Sequence, residues 1–506
     1  MEKLNRLLNS RYFWIGFAAL TVFVYFFGLT IPLLGPDEPR YAQVAREMFE
    51  RSDWITPTLG GHHWFEKPAL LYWMEIAFFN VFGVNEFAAR FGPALFGLGI
   101  VACLWIVGRF TFSEQQRRAA NYFGLVAAST LGFLVFARGA SFDITLTFPI
   151  AAAMTGFFVF DRSAAGTKSR VLGLLAFYVF MGVSVLAKGL VGFVFPFAIV
   201  GFYYLLSLRL PERQFIISLF WGIPVSILVL STWYLPMYLR HGWEFIDEFF
   251  VQHHFQRYTS NKYKHPQPFH FFFWVLPLMT IPWIPFFFVG LWRSFKEIIA
   301  GFGQKAEADA DTDGSNTHIG SALKFGFAWL AVPLVFFSFS GSKLPGYILP
   351  AVPGAMILAA LTAWFYARRS PLRDNIVKSL ALATFVVVLA LLQFALPRFA
   401  ETDSVRHMFR DAADAGYSSQ KVAGFMTISH NMEFYAPGRI LRNADGTQRR
   451  FSTPDELAAV IREKDEPQMV IVRQEHLHHL ENFARLDIKV ISRGGDYALA
   501  AVEGME

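Results

Sequence analysis

The 506-residue sequence contains a single cysteine, Cys103. A disulfide scaffold is therefore excluded, and so is a cysteine-built zinc site. Charge is also scarce: charged residues make up 17% of the chain, against about 25% in an average soluble domain. A soluble enzyme of this length would fold as two or more domains and need more polar surface than that. The low hydrophobicity that marks disordered chains is missing too, since 54% of the residues are hydrophobic. The chain has no Walker sequence, no dinucleotide fingerprint and no internal repeat.

What the chain does have is long apolar runs and 58 phenylalanines. A membrane helix needs about 20 predominantly apolar residues. Such runs lie near 12–34, 88–108, 119–137, 143–160, 171–187, 190–207, 215–237, 271–292, 323–340, 347–366 and 377–397. The expectation is a polytopic α-helical membrane protein with about 11–13 transmembrane helices, the Pro277–Pro285 stretch forming a kinked span. No small-residue cleavage site follows the first run, so it reads as a retained signal anchor.

The net charge of +6 fits membrane loops better than a nucleic-acid partner, because Lys and Arg collect at cytoplasmic span ends. Their distribution predicts a cytoplasmic N-terminus and an outer C-terminal tail. Several cations nevertheless fall on the outer side, among them Arg40, Lys67, Arg138, Arg257 and Lys343. Some are snorkelling flank residues. The remainder suggest a cationic site for an anionic lipid headgroup. Residues 301–321 read as a flexible cytoplasmic loop.

Two domains are expected. Residues 1–397 form the membrane part, including an outer loop at 35–87, and residues 398–506 form a small α/β domain. Strand-like runs occur at 421–428, 468–472 and 488–491, with helical stretches at 454–463 and 475–485. His476, His478 and His479 read as an exposed helix face rather than a metal site, because no carboxylate spacing completes a ligand set.

The outer loop carries the chemistry. Pro39 suits a first helical turn, and Tyr41, Val44, Ala45, Met48 and Phe49 recur at helical spacing, predicting an amphipathic surface helix. A second is expected to start at Pro68. Asp37 and Glu38 are either a helix cap or an acidic functional pair. With Arg40 one turn away and Lys67 beyond, acid and base at one membrane face make a site for a phosphorylated lipid.

These segments carry a resemblance. Gly35-Pro36-Asp37-Glu38-Pro39-Arg40-Tyr41 and Phe65-Glu66-Lys67-Pro68 resemble the first outer loop of the bacterial 4-amino-4-deoxy-L-arabinose transferases (ArnT). Those enzymes belong to the protein mannosyltransferase-like branch of the GT-C glycosyltransferases. Arg138–Asp143, His253–Tyr258 and Ser342–Pro350 are similar in order and spacing to later ArnT segments. The acidic motif alone is shared more widely; the combination is specific to the ArnT-like group.

The resemblance implies a GT-C fold with a periplasmic α/β tail in a bacterial inner membrane. It implies transfer of a sugar, best 4-amino-4-deoxy-L-arabinose, from undecaprenyl phosphate to lipid A or another envelope acceptor, lowering sensitivity to polymyxin. By matched motif, Asp37 and Asp143 take catalytic positions, and Lys67, Arg257, Arg40 and Tyr347 take donor-phosphate positions. Glu38, Tyr41, Glu66, Arg138 and Lys343 support them. No cofactor is required; a divalent metal is left open, with Glu66, His253 and His254 as the candidates. The alternatives are another polyprenyl-phosphate sugar such as galactosamine or mannose, a protein Ser/Thr acceptor, or a lipid transporter or flippase. Transporters, however, place charge near the bilayer midplane and show paired halves.

Overall fold

The structure is a computed structural model that describes residues 8, 10–113, 116–249, 267–303, 315–464 and 467–504. Every expected apolar run contains helix. Among the described residues, seven helices are long and apolar enough to cross a membrane: Glu86–Thr111, Phe142–Arg162, Lys168–Lys188, Arg213–Phe249, His318–Ser338, Pro345–Ala367 and Pro371–Asp403. The helices Phe271–Met279 and Ile284–Gly301 meet at 117° and count as an eighth if taken as one span. The break falls in the proline-rich stretch where the kink was expected.

The remaining expected spans are shorter helices, and the reasons are local. The first run is helical only over Tyr12–Phe26. Gly28 then adopts a left-handed conformation (φ 76°), and Pro32 follows. The 119–137 run breaks into Ala119–Ala128 and Leu131–Phe136. At the break, the Ser129 and Thr130 hydroxyls donate back to the carbonyls of Leu125 and Val126 at 2.7 and 2.6 Å. The expected loop at 301–321 is corrected at its end, where a helix begins at Ser315; residues 304–314 lie outside the described residues.

The chain divides into two compact units. The first comprises 1–27, 66–71 and 92–389. Its Phe142–Arg162 and Lys168–Lys188 helices touch backbone to backbone. A Cβ on Gly156 would lie 2.6 Å from the Gly173 carbonyl oxygen, and one on Gly173 equally close to that of Gly156. Small residues at a helix crossing replace the hydrophobic drive that lipid cannot supply.

The second unit comprises 28–65, 72–91 and 390–506, so most of the first outer loop groups with the tail. The loop forms the Asp37–Glu50 helix, the two short strands β1 (Thr58–Leu59) and β2 (His62–His63), and the Leu70–Phe82 helix. Both stretches expected to form surface helices are therefore helical. Tyr41, Val44, Ala45 and Met48 are buried and Phe49 half-buried, while Glu50 and Arg51 are exposed.

In the tail, β3 (Val422–Phe425), β4 (Arg450–Phe451), β5 (Gln468–Arg473), β6 (Leu486–Gly494) and β7 (Tyr497–Gly504) form one sheet in the order β4-β3-β5-β7-β6. β3 runs parallel to β4 and β5, and β7 antiparallel to β5 and β6. β5 reads as a continuous apolar run because both its faces are covered. Val470 and Val472 join one cluster with Leu457 and Leu480, while Met469 and Ile471 join another with Val405 and Met408. The Pro454–Lys464 helix starts with a capping box, Glu456 N–H donating to Thr453 and Ser452 N–H to the Glu456 carboxylate. The expected 475–485 helix shortens to a 3₁₀ turn and Leu477–Glu481, with His478 and His479 exposed.

Candidate active site

Each unit presents one group of the expected site residues. In the second unit, Asp37 opens the Asp37–Glu50 helix, where a carboxylate meets the positive end of the dipole. Its side chain remains 52% exposed and pairs with the Arg40 guanidinium. Arg40 also lies 5.5 Å over the Trp64 ring and 5.8 Å over that of Tyr41. Tyr41 is buried.

Glu38, the next residue, is held quite differently. Arg90 binds it through two bonds, at 2.6 and 3.2 Å, and the Leu34 N–H donates to it at 2.8 Å. Arg90 is 1% exposed and also donates to the carbonyls of Leu29, Ile31 and Pro32. The Glu38–Arg90 pair therefore fixes the loop that delivers Asp37. The tail fastens the same loop: the Asp403 carboxylate accepts from Gly35 N–H at 2.7 Å, and Tyr435 Oη from Leu33 N–H at 2.7 Å. Glu75, which the sequence reading passed over, is wholly buried, and neither carboxylate oxygen finds a hydrogen-bond partner among the described residues. Burial, reinforced by the Glu38 carboxylate, pushes its pKa well above the usual range.

In the first unit, Ser141 caps the Phe142–Arg162 helix by accepting from Asp143 N–H at 3.1 Å. The Asp143 carboxylate meets Lys188 Nζ at 2.5 Å. Lys188 ends the Lys168–Lys188 helix and lies 4.7 Å over the Tyr347 ring. The 342–350 segment passes directly over this pair, and a Cβ on Gly346 would sit 1.8 Å from Asp143 Oδ2. Only glycine permits that approach. No motif marks Lys188 as part of this group. Its position at a span end just before Gly189 is the signal the sequence offers.

The supporting cations have structural duties. Arg138 donates to the carbonyls of Val24 and Phe27, capping the end of the first helix. Lys343 is buried and donates to the Ser340 and Gln267 carbonyls at 2.7 and 3.0 Å; lost hydration pushes its pKa down. Lys67 is nearly buried and pairs with Glu66 at 2.8 Å. Arg257, His253 and His254 lie outside the described residues.

The architecture is that of a multi-span helical membrane protein with a C-terminal mixed-sheet domain. The sequence model of the dolichyl-phosphate-mannose-protein mannosyltransferase family (PMT) matches residues 15–246. Undecaprenyl phosphate-alpha-4-amino-4-deoxy-L-arabinose arabinosyl transferase of Aeromonas salmonicida is 30% identical over 331 residues, covering 65% of this chain and 56% of the relative. The enzyme of the same name from Yersinia enterocolitica is 27% identical over 435 residues, covering 82% and 72%. The crystal structure of ArnT from Cupriavidus metallidurans bound to undecaprenyl phosphate superposes with a TM-score of 0.76 at 21% identity, covering 97% of this chain and 98% of that one. An oligosaccharyltransferase from Archaeoglobus fulgidus gives 0.53 at 14% identity, covering 92% and 68%. At such identities the structural likenesses speak for the fold.

By sequence the chain is similar to the PMT family of glycosyltransferases over residues 15–246 and to the aminoarabinose transferases along most of its length, and its fold is ArnT-like. It spans a little over half the length of the Aeromonas relative.

Proposed function

We propose that the protein transfers a sugar, 4-amino-4-deoxy-L-arabinose, from undecaprenyl phosphate to a lipid A phosphate at the periplasmic face of the bacterial inner membrane. The observation that carries this reading is the contrast within the acidic pair. Glu38 is locked by Arg90, whereas Asp37 is exposed beside Arg40. The second acid, Asp143, is held by one lysine under a glycine. Relatives at 30% identity bear the name of this transferase, which supports the choice of sugar.

The chemistry follows from the donor. A polyprenyl-phosphate sugar leaves as a phosphate monoester whose negative charge grows as the glycosidic bond breaks. By matched motif, Lys67, Arg257 and Arg40 are assigned as the cations toward that charge, and Tyr347 as a further donor-phosphate residue. A lipid A phosphate is already anionic near neutral pH, since its second pKa is about 6. Asp37 therefore orients the acceptor or the amino sugar and is not needed as a base. A hydroxyl acceptor, as the PMT family name suggests, makes Asp37 the general base instead. In-line attack inverts the anomeric centre in either case.

The test is mass spectrometry of lipid A from a deletion strain carrying wild type or Asp37→Ala. A pentosamine-sized addition seen only with wild type is expected. A hexosamine-sized addition changes the sugar and keeps the mechanism. No addition, with both proteins expressed and donor present, rejects lipid A as acceptor.

A further inference from the structure

A cleft of about 550 Å³ lies within the first unit at the N-terminal end of the Tyr12–Phe26 helix. Arg138 caps the other end of that helix, so the cleft is remote from the Asp143 group. Four separate stretches of chain line it, supplying Arg11, Arg118, Arg368, Arg369 and Lys378 against one acid, Asp374. That acid is already neutralised. Lys378 Nζ reaches Asp374 Oδ2 at 2.8 Å, and the Tyr122 hydroxyl donates to Oδ1. Lys378 and Tyr122 are buried, so they form a neutral floor.

The four arginines are exposed around that floor, and none forms an ion pair with a described residue. The walls carry aromatic side chains of the kind that settle at a membrane interface: Trp14 and Trp364 pack on Tyr122 with ring centroids 5.4 and 5.1 Å apart. Trp364 adds a further clue. It lines the cleft, and its indole N–H is buried without a hydrogen-bond acceptor among the described residues. Charges that serve only to orient a membrane protein need to lie on one side of the bilayer; they do not need to converge on a cavity with an unsatisfied donor.

We propose that this cleft binds the phosphate of an anionic phospholipid headgroup, held by the arginine rim and the Trp364 N–H. The charge distribution assigns this end of the unit to the cytoplasmic side, where anionic lipids attract basic pockets between helices. The lipid belongs to a site separate from donor and acceptor and takes no part in transfer.

The full-length protein is placed in nanodiscs of phosphatidylcholine containing phosphatidylglycerol, and retained lipid is read by native mass spectrometry. Wild type is expected to retain phosphatidylglycerol in preference to phosphatidylcholine. At about 1 kcal/mol per surface cation, each of Arg118→Gln, Arg368→Gln and Arg369→Gln weakens retention about fivefold. Trp364→Phe removes the donor without touching charge or topology and weakens it about two- to tenfold. Equal retention of the two lipids by wild type, or retention by Trp364→Phe and the three arginine variants matching wild type, overturns the proposal. So does displacement by inorganic phosphate as effective as that by phosphatidylglycerol, which would make the ligand a soluble anion.

Discussion

The Phe142–Arg162 helix carries an aspartate near each end, in opposite environments. Asp161 is fully buried and bound on several sides: Arg162 at 2.7 Å, Arg209, and the Tyr203 hydroxyl at 2.8 Å. Asp143 keeps some exposure, meets one lysine, and lies against the edge of a glycine. Asp161 has no room left for another ligand and holds three elements together. Among the described residues Asp143 balances one cation, Lys188, and its side chain stays 18% exposed. The same contrast recurs in the second unit between Glu38 and Asp37. Full satisfaction marks a structural acid, and incomplete satisfaction at the surface marks a candidate functional one.

That contrast can be broken experimentally. The largest effect is expected from Asp161→Ala. It strands Arg162 and Arg209 and should cost about 3–5 kcal/mol, read as lost thermal stability in detergent. A stable Asp161→Ala protein would remove the structural role assigned to that end. Asp143→Asn should do the reverse. Thermal stability stays close to wild type while transfer, measured with purified donor and acceptor, falls about 10²–10³-fold. Transfer at the wild-type rate would take Asp143 out of the site.

Gly346→Ala sharpens the comparison further. The added methyl displaces the Asp143 carboxylate, an overpacking cost of about 1–3 kcal/mol. The expected result is reduced transfer with the donor still bound, and a fully active variant would show that the close approach is dispensable.

The eleven apolar runs were legible as helices because each declares itself through local composition. The bent pair was legible through its prolines. Three of the tail's strands showed as short apolar runs; the two-residue β4 and the longer β7 did not. Its Ala-rich sequence, Tyr497–Gly504, lacks that mark and becomes a strand by pairing with β5 and β6. The 475–485 helix ends at Glu481 although Phe483, beyond its end, still packs on the same cluster as Leu477 and Leu480. Among the expected site residues, motif order pointed to Asp37, Lys67, Asp143 and Tyr347. The motifs rank Asp37 above Glu38, but the physical reason for the difference, the Glu38–Arg90 pair, joins residues 52 apart in the chain.

Local composition was enough for the class of protein, the rough positions of its helices and the chemical kinds of residue in the Asp37 and Asp143 segments. Hydrophobicity and helix signals are short-range, and they add up along the chain. Only the tertiary structure decided what each charge does. It joined Lys188 to Asp143, placed a glycine where any side chain would collide, turned Arg138 and Lys343 inward to carbonyls, and grouped the first outer loop with the tail. A charge takes its role from partners within a few ångströms, and those partners come from distant parts of the chain.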